Sequence, residues 1–278
     1  MSTILDNHLH LDFNGRNVYA VKDFIRAGGT HLILVHKPYA SVKVRRGGDF
    51  KNAYEITLKL AELVMKETEA KVFTVLGPHP AELTKLAENI GLEEAKYAMI
   101  KGIDIAGRYA EDCVSVGIGE VGRPHYKVSK DVWETSNEIL RYAMSVARDV
   151  DCPIILHTED ASISTFKEIA EIADAVGLRR EKVVKHFSPP IVDVDENHGL
   201  FPSILASKDS VKKAIKKGRR FLLETDYIDD QSRPGAVLGP KTVPRVTKMC
   251  LKEGLLTEDD VIKIHKEYPE RIYGIEIE

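Results

Sequence analysis

The 278-residue chain has only three cysteines, and no two of them form a CxxC pair. A disulfide framework or a thiolate zinc site is therefore not expected, and Cys113, Cys152 and Cys250 are predicted to be small buried side chains. The sequence also lacks any apolar run of the roughly 18 residues that a membrane helix needs. Its first residues have neither the basic nor the apolar segment of a signal peptide. These absences predict a cytoplasmic protein with no membrane partner.

The chain has little net charge and no internal division. Its formal charge of −3 argues against a protein that coats nucleic acid electrostatically. No repeat, low-complexity tract or linker rich in Pro, Gly or Ser interrupts the sequence. With 43% hydrophobic residues, residues 1–278 are expected to form one domain around a substantial core. Nothing in the sequence indicates an obligate protein partner.

Short β-branched runs alternate with longer amphipathic stretches along the whole chain. Eight strands are predicted, at residues 3–9, 31–35, 71–76, 113–119, 153–157, 182–186, 200–205 and 220–225. Helical patterns fill the segments between them, and further helices are predicted from Val246 to Tyr273. Strands and helices that alternate in this way predict an α/β fold, a single-domain (β/α)₈ barrel of the TIM type.

Metal-binding residue types fall at the carboxyl ends of these predicted strands. His8 and His10 leave the first strand on the same face, because strand side chains alternate with period two. By itself such a pair is more often a hydrogen-bonded core or surface feature. The other positions follow strands 3, 4, 5, 6 and 8 in turn, at His79, Glu120, His157, His186 and Asp226. Since the carboxyl ends of barrel strands meet at one mouth, all these side chains are expected to be neighbours.

Imidazoles and carboxylates without cysteine suit Zn²⁺, Mn²⁺, Co²⁺ or a similar ion, and a carboxylate such as Glu120 can bridge two ions. Simpler roles remain open for single residues. His186 can end a strand, Asp226 can begin a turn, and His79 can be a rigid turn residue or a substrate contact. His125, just beyond Glu120, is expected at the surface rather than in the mouth.

Seven short motifs occur in order along the chain: Asp6-Asn-His-Leu-His-Leu-Asp12, Gly77-Pro-His-Pro80, Gly119-Glu-Val-Gly122, Pro153-Ile-Ile-Leu-His157, His186-Phe-Ser188, Glu224-Thr-Asp226 and Arg271-Ile-Tyr-Gly274. Together they resemble the TatD family of metal-dependent hydrolases, within the amidohydrolase superfamily of barrels. The resemblance implies two divalent metal ions, Zn, Mn, Co or Mg. It implies that one ion is bound by His8, His10, Glu120 and Asp226, and the second by the shared Glu120 with His157 and His186.

Two departures from the family pattern concern the substrate. Arg123-Pro124 stands where the family usually has Leu-Asp. Two positions after His157, where the family tends to place an arginine suited to a phosphate, this chain has Glu159, followed by Asp160. Two acidic side chains would repel a polyanion, so metal-dependent hydrolysis is better supported than deoxyribonuclease activity.

The hypothesis drawn from the sequence is a hydrolase in which two metal ions activate a water and Asp226 accepts its proton. The expected substrate is a short nucleic acid, cleaved by a TatD-like phosphodiesterase or deoxyribonuclease, or another small molecule. The candidate substrate contacts are Arg123 and the loop residues Arg45 and Arg46. His79 is the second candidate catalytic residue, which would orient the leaving group or the phosphate.

Two other functions remain open. One is an amidohydrolase-type enzyme that acts on a small amide, lactone or ester with the same ions. The other is a metal-binding barrel that has lost catalysis and serves as a binding module. The retained Asp226 argues against the second, because a structural metal site does not need a spare carboxylate beside an activated water.

Overall fold

Nine short parallel strands form the central sheet in a computed structural model that describes residues 3–278. They are β1 (Leu5–His10), β2 (His31–Val35), β3 (Lys71–Leu76), β4 (Gly117–Gly122), β5 (Ile154–His157), β6 (Val183–Ser188), β7 (Phe201–Leu205), β8 (Leu222–Glu224) and β9 (Tyr227–Ile228). Their order in the sheet is β8-β7-β6-β5-β4-β3-β2-β1-β9. Consecutive strands are therefore neighbours, as expected of parallel strands joined by helices.

The sheet closes into a barrel where β8 and β9 meet β1. Only Thr225 and Asp226 separate β8 from β9, so the two form one interrupted strand. β9 pairs with Leu9 and His10 of β1. The backbone N–H of Asp226 donates to the carbonyl oxygen of His8 at 2.9 Å. The predicted (β/α)₈ barrel is confirmed, with its eighth strand split in two.

Helices cover the outside of the barrel. They are α1 (Val18–Ala27), α2 (Phe50–Glu67), α3 (Pro80–Ile90), α4 (Leu92–Glu111), α5 (Lys130–Asp149), α6 (Ile163–Val176), α7 (Lys208–Lys217), α8 (Thr242–Lys252), α9 (Glu258–Ile262) and α10 (Tyr268–Tyr273). Each of the longer ones turns an apolar stripe inward; α5, for example, buries Ile139, Leu140 and Met144. No helix in residues 3–278 is both long enough and apolar enough to cross a membrane.

β4 begins later than predicted because the chain turns at Cys113. α4 extends to Glu111, and Cys113 then adopts a φ of 55°, in the left-handed region that ends regular structure. Cys113 is exposed, which contradicts the prediction of a buried side chain, whereas Cys152 and Cys250 are buried. β4 also ends later than predicted, at Gly122, so Glu120 lies inside the strand rather than beyond its end.

The amino end of the barrel is closed by apolar side chains. One buried cluster joins residues of seven strands to α10: Leu5, Ile33, Val35, Val75, Ile155, Val184, Phe201, Leu222, Ile272 and Tyr273. Lys182, just before β6, donates to the carbonyl oxygen of Ile272 at 2.9 Å, so α10 lies at the amino ends of the strands. The polar residues at the carboxyl ends of the strands therefore lie above a closely packed apolar layer.

Candidate functional site

Glu120 lies at the centre of a group of imidazoles at the carboxyl ends of the strands. Its Oε2 is 3.5 Å from Nε2 of His10 and 3.7 Å from Nε2 of His8. Its Oε1 is 3.1 Å from Nδ1 of His157 and 3.2 Å from Nε2 of His186. The two carboxylate oxygens thus face different histidine pairs, which is the arrangement that a bridging ligand needs.

Asp226 completes the side of the site formed by β1. Its Oδ1 is 3.5 Å from Nε2 of His10 and 3.9 Å from Nε2 of His8. Its φ of 48° lies in the left-handed region, which non-glycine residues seldom adopt. Asp6 holds the preceding residue, because its two carboxylate oxygens accept from the N–H of Thr225 at 2.9 Å and from the Thr225 hydroxyl at 2.6 Å. The Asp226 carboxylate is therefore fixed beside the imidazoles.

The donor atoms fit divalent cations. Three overlapping triplets have donor atoms within 4.8 Å of one another: His8, His10 and Asp226; His8, Glu120 and His186; and His79, Glu120 and His157. Nε2 of His8 and Nε2 of His10 are 3.2 Å apart, and Nδ1 of His8 is buried without a hydrogen-bond partner among residues 3–278. Nitrogen and carboxylate donors packed this closely suit Zn²⁺, Mn²⁺ or Co²⁺.

Other buried groups orient these imidazoles. Nδ1 of His186 lies 2.9 Å from Oε1 of the fully buried Glu224, and Nδ1 of His10 lies 2.9 Å from the carbonyl oxygen of Val35. Such contacts turn Nε2 of each ring toward the centre of the site. Sequence analysis assigned no role to Glu224. Its position two residues before Asp226, in the same motif, is the signal that would have found it.

His79 and His125 flank His157 at the edge of the site. Nδ1 of His79 accepts from the N–H of Ala81 at 3.1 Å, and the His79 ring centre is 4.5 Å from that of His157. Burial lowers the pKa of His79 to about 3, so its ring is neutral and Nε2 carries the proton. His125 is exposed, as expected, but its Nδ1 also lies 2.7 Å from Nε2 of His157, so it belongs to the site.

The histidines and carboxylates of the site shift one another's pKa toward the charged form. Burial raises the pKa of Glu120, but His186 and His8 together hold it well below its ordinary value. Burial likewise raises the pKa of Asp226, but His186, His10 and His8 together outweigh that effect and keep it below its ordinary value. Burial lowers the pKa of His8, yet the Glu120 carboxylate raises it to about 9. Both carboxylates are therefore ionised at neutral pH, and in the metal-free protein His8 carries a proton.

Metal binding is expected to strengthen as the pH rises toward 9. A metal ion must displace the proton of His8, whose folded-state pKa is raised from 6.5 to about 9. For one displaced proton, the association constant should rise about tenfold per pH unit below that value. The folding stability of the metal-free protein changes with pH in the opposite direction. A raised histidine pKa stabilises the fold at low pH, and this contribution is lost as the pH rises through about 9.

Calorimetric titration of Zn²⁺ into the metal-free protein, in buffers of different ionisation enthalpy, measures the protons released. An association constant that stays flat between about pH 7 and pH 8.5 would contradict this assignment of the His8 proton.

The site opens into a cavity of about 680 Å³. Besides the residues already described, its charged lining consists of Asp12, Lys37, Lys85, Asp229, Asp230 and Arg233. Lys37 pairs with Asp12 at 2.6 Å, and Arg233 pairs with Asp230 at 2.9 Å. Lys85 has no ion-pair partner in the described part of the chain. None of these residues was predicted to belong to the site. Five of them lie in loops, where no periodic signal marks which side chains face the cavity, and Lys85 lies on α3.

Arg123 does not line this cavity, in contrast to its predicted role as a substrate contact. Its side chain is fully buried: Nη2 lies 2.7 Å from Oε1 of Glu168, Nη1 lies 3.1 Å from Oε1 of Glu159, and Nε donates to Oδ1 of Asn137 at 2.7 Å. The N–H donors of the Arg123 guanidinium are therefore satisfied by acceptors within the protein. Glu159 is thereby drawn to Arg123, and neither Glu159 nor Asp160 lines the metal cavity.

Arg123→Ala is expected to destabilise the fold without weakening substrate binding. The variant loses the ion pairs of the buried guanidinium with the partly exposed Glu159 and Glu168, and its packing on Trp133, 5.0 Å from the ring centre. We expect the free energy of unfolding to fall by about 2–4 kcal/mol, measured by urea denaturation. The KM of the folded variant should stay within about twofold of the wild type, since no substrate contact is lost. A large rise in KM at unchanged stability would restore Arg123 as a substrate contact.

Arg45 and Arg46 also lie away from the metal cavity, although a contact with the reacting group was expected. Both precede the 3₁₀ turn Gly47–Asp49. Arg45 lines a second cavity of about 720 Å³, and both arginines line a third of about 330 Å³. The second cavity shares Lys85 with the metal cavity, so the arginines lie along a continuation of the site.

Comparison with known proteins gives the family. The model of the family described as TatD related DNase matches residues 5–274. Uncharacterized protein MJ1127 of Methanocaldococcus jannaschii is 46% identical over 278 residues, which cover 99% of this chain and 97% of that protein.

Solved structures share the fold. The TatD homologue YJJV of Escherichia coli superposes with a TM-score of 0.67 at 19% identity, with 98% of each chain covered. A mutant PTE-like lactonase of Deinococcus radiodurans gives a TM-score of 0.66 at 14% identity, with 98% of this chain and 95% of that chain covered. The phosphotriesterase homology protein of E. coli, solved with phosphate in its active site, gives 0.63 at 14% identity and covers 98% of both chains. From the family match over residues 5–274 and the relative at 46% identity, the chain belongs to the TatD-related DNase family and has the fold of its metal-dependent hydrolases.

Proposed function

We propose that the protein is a metal-dependent hydrolase that cleaves phosphodiester bonds in short nucleic acids. The observation that carries the proposal is the position of Glu120 between two pairs of imidazoles, with Asp226 beside one pair. Membership of the TatD-related DNase family supports the same reaction class. The phosphate in the active site of the E. coli phosphotriesterase homology protein shows that such a barrel can hold this group.

Each polar residue has a distinct task in this reaction. When bound, two divalent ions would supply Lewis acidity toward a water and a phosphoryl oxygen, held by His8, His10, Asp226, His157, His186 and the shared Glu120. Asp226 is ionised and accepts the proton of the attacking water. The neutral ring of His79 donates from Nε2 to an oxygen of the substrate or leaving group. Glu224 keeps His186 in the required orientation.

Two features of the metal cavity favour an anionic substrate: the position of Lys85 and the absence of Glu159 and Asp160 from the lining. Glu159 and Asp160, the residues that argued against a nuclease, lie outside the cavity lining, and Glu159 is paired with Arg123. Lys85 lines the cavity and has no ion-pair partner among the described residues, so its ammonium group is available to a phosphate.

A second candidate is hydrolysis of a small lactone or ester. It is favoured by the aspartates Asp12, Asp229 and Asp230, which line the same cavity and disfavour a highly charged substrate. The structural likeness to a PTE-like lactonase adds only that the fold accommodates such chemistry in another protein.

One assay series separates these functions. The metal content of the purified protein is measured first, and turnover is then followed for bis(p-nitrophenyl) phosphate, a dinucleotide, a lactone and p-nitrophenyl acetate. We expect phosphodiester hydrolysis that is lost on chelation and restored by Zn²⁺, Mn²⁺ or Co²⁺. Turnover of the lactone or ester alone would establish the second candidate. Bound metal without any turnover would indicate the non-catalytic binding barrel, and a protein that takes up no metal would refute all three.

A further inference from the structure

A continuous groove leads from the metal cavity along α3. The first and second cavities share Pro38, Ala40 and Lys85. The second and third cavities share Arg45 and Ile90. Because neighbouring cavities have common walls, the three form one path, which we call the α3 groove. The metal ligands lie at one end of this path, and the exposed arginines lie at the other.

One face of α3 forms a wall of the groove along the whole length of the helix. The lining residues are spaced at i, i+3, i+4, i+7 and i+8: Glu82, Lys85, Leu86, Asn89 and Ile90. The helix begins beside the site, where His79 is its N-cap. From Ala81 to Ile90 it rises by about 13 Å, at about 1.5 Å per residue.

The opposite wall, residues 38–46, makes the second cavity of the α3 groove basic. Lys43 and Arg45 line the second cavity together with Lys85, and within residues 3–278 none of the three has an ion-pair partner. The acidic residue of this cavity is Glu82, whose pKa is raised by burial to about 7 and whose Oε2 accepts from the N–H of His79. In the second cavity the three cationic side chains therefore outnumber the single carboxyl group of Glu82. The third cavity is lined by one acidic residue, Glu94, and by Arg45 and Arg46.

The α3 groove also offers apolar and aromatic surface. Val42, Val44, Leu86 and Ile90 line it between the basic residues. At its far end the ring of Tyr97 is 64% exposed and faces the third cavity, beside Arg45 and Arg46. Cationic side chains that alternate with apolar surface and an exposed aromatic ring match the phosphates and bases of a single strand.

We propose that the α3 groove binds the part of a single-stranded nucleic acid that extends away from the scissile phosphate. Lys85, Lys43 and Arg45 contact successive phosphates, and a base stacks on Tyr97. The proposal rests on the phosphodiesterase function proposed above and adds a requirement for substrate length. A path of about 13 Å accommodates about four nucleotides at the stacked rise of about 3.4 Å per nucleotide.

The test measures binding separately from catalysis. Fluorescence anisotropy follows labelled phosphorothioate oligothymidylates of two and eight nucleotides, which resist hydrolysis, on the metal-loaded enzyme. The groove variant is Lys43→Glu/Arg45→Glu. The matched control is Lys213→Glu/Lys216→Glu, which makes the same change of net charge at two exposed lysines of α7. Tyr97→Ala and its conservative partner Tyr97→Phe test the stacking.

We expect the octamer to bind at least about tenfold tighter than the dimer, because the groove adds phosphate and base contacts. The groove variant should reduce octamer affinity about tenfold or more and flatten the slope of log K against log[salt] by about 1.4, or about 0.7 for each lost phosphate contact. The α7 control should change neither quantity. Tyr97→Ala should weaken octamer binding about fivefold or more through loss of stacking, and Tyr97→Phe should not.

Equal affinity for the two oligonucleotides, or equal losses in the groove and α7 variants, would overturn the proposal. Displacement of the octamer by an equal concentration of polyglutamate would do so as well, since it would show that the groove selects charge and not nucleic acid. Octamer binding that depends on the groove, without cleavage of any phosphodiester, would refute the proposed function but not the groove. Cleavage without dependence on length would refute the groove but not the function.

Discussion

Glu120→Gln is expected to remove both the bound metal and the activity. Oε1 and Oε2 of Glu120 face different histidine pairs, at 3.1–3.2 Å and 3.5–3.7 Å, so a single substitution weakens both halves of the site. An amide has one acceptor oxygen and no charge, and it cannot bridge two cations equally well. We expect metal affinity to fall at least about 100-fold and kcat/KM at least about 1,000-fold.

Elemental analysis after dialysis, together with turnover at saturating metal, measures both effects of Glu120→Gln. Glu171→Gln, at an exposed position of α6, removes the same charge outside the site and should leave metal content and rate unchanged. A circular dichroism spectrum and an unfolding curve exclude misfolding as the cause. If Glu120→Gln kept a full complement of metal, Glu120 would not be the bridging ligand.

Asp226→Asn is expected to separate catalysis from metal binding. The Asp226 carboxylate lies closest to His10 and His8, with Nε2 of His186 at 4.0 Å, and an asparagine oxygen still offers a ligand to that side of the site. The amide cannot accept the proton of the attacking water, so kcat should fall by about 10²–10⁴-fold while most of the metal stays bound. The acidic limb of the pH–rate profile should be lost with it, because the pKa of Asp226 is held below its ordinary value and its ionised form is the active one.

Steady-state kinetics and metal analysis of the same preparation check this separation. Asp230→Asn is the matched control: this aspartate lines the same cavity but is paired with Arg233 and does not contact the imidazoles. Its kcat should remain within about threefold of the wild type, because no proton-transfer group is lost. Rates near the wild type in Asp226→Asn would assign the proton to another group.

The strand pattern and the metal-binding residue types were accessible from the sequence because both depend on short-range order. β2 and β3 lie where β-branched runs predicted them, at His31–Val35 and Lys71–Leu76. Strand boundaries beside irregular turns were not accessible. Cys113 belongs to an apolar run that favours a strand, yet its φ of 55° ends the preceding helix and delays β4.

Arg123 and His125 show why side-chain direction in loops is harder to predict. Arg123 was predicted in the mouth but is buried against Glu168, and His125 is exposed as predicted but also contacts His157. Gly122 explains the turn between β4 and these residues: its φ is 139°, and a Cβ there would lie 2.2 Å from the carbonyl oxygen of His157. The direction of the following side chains is therefore set by a contact between β4 and β5.

By itself, the sequence determined the alternation of strands and helices and the placement of His8, His10, His79, Glu120, His157, His186 and Asp226 near strand ends. These features follow from periodicity, and the barrel then brings the strand ends together. Only the tertiary structure decided which charges face the substrate. In the folded protein Arg123 is buried and paired with Glu159, Arg45 and Arg46 line a groove along α3, and Lys85 lines the metal cavity. The physical reason is that the surroundings of these charged side chains come from segments distant in sequence, so the direction of each side chain is fixed only when the elements have packed.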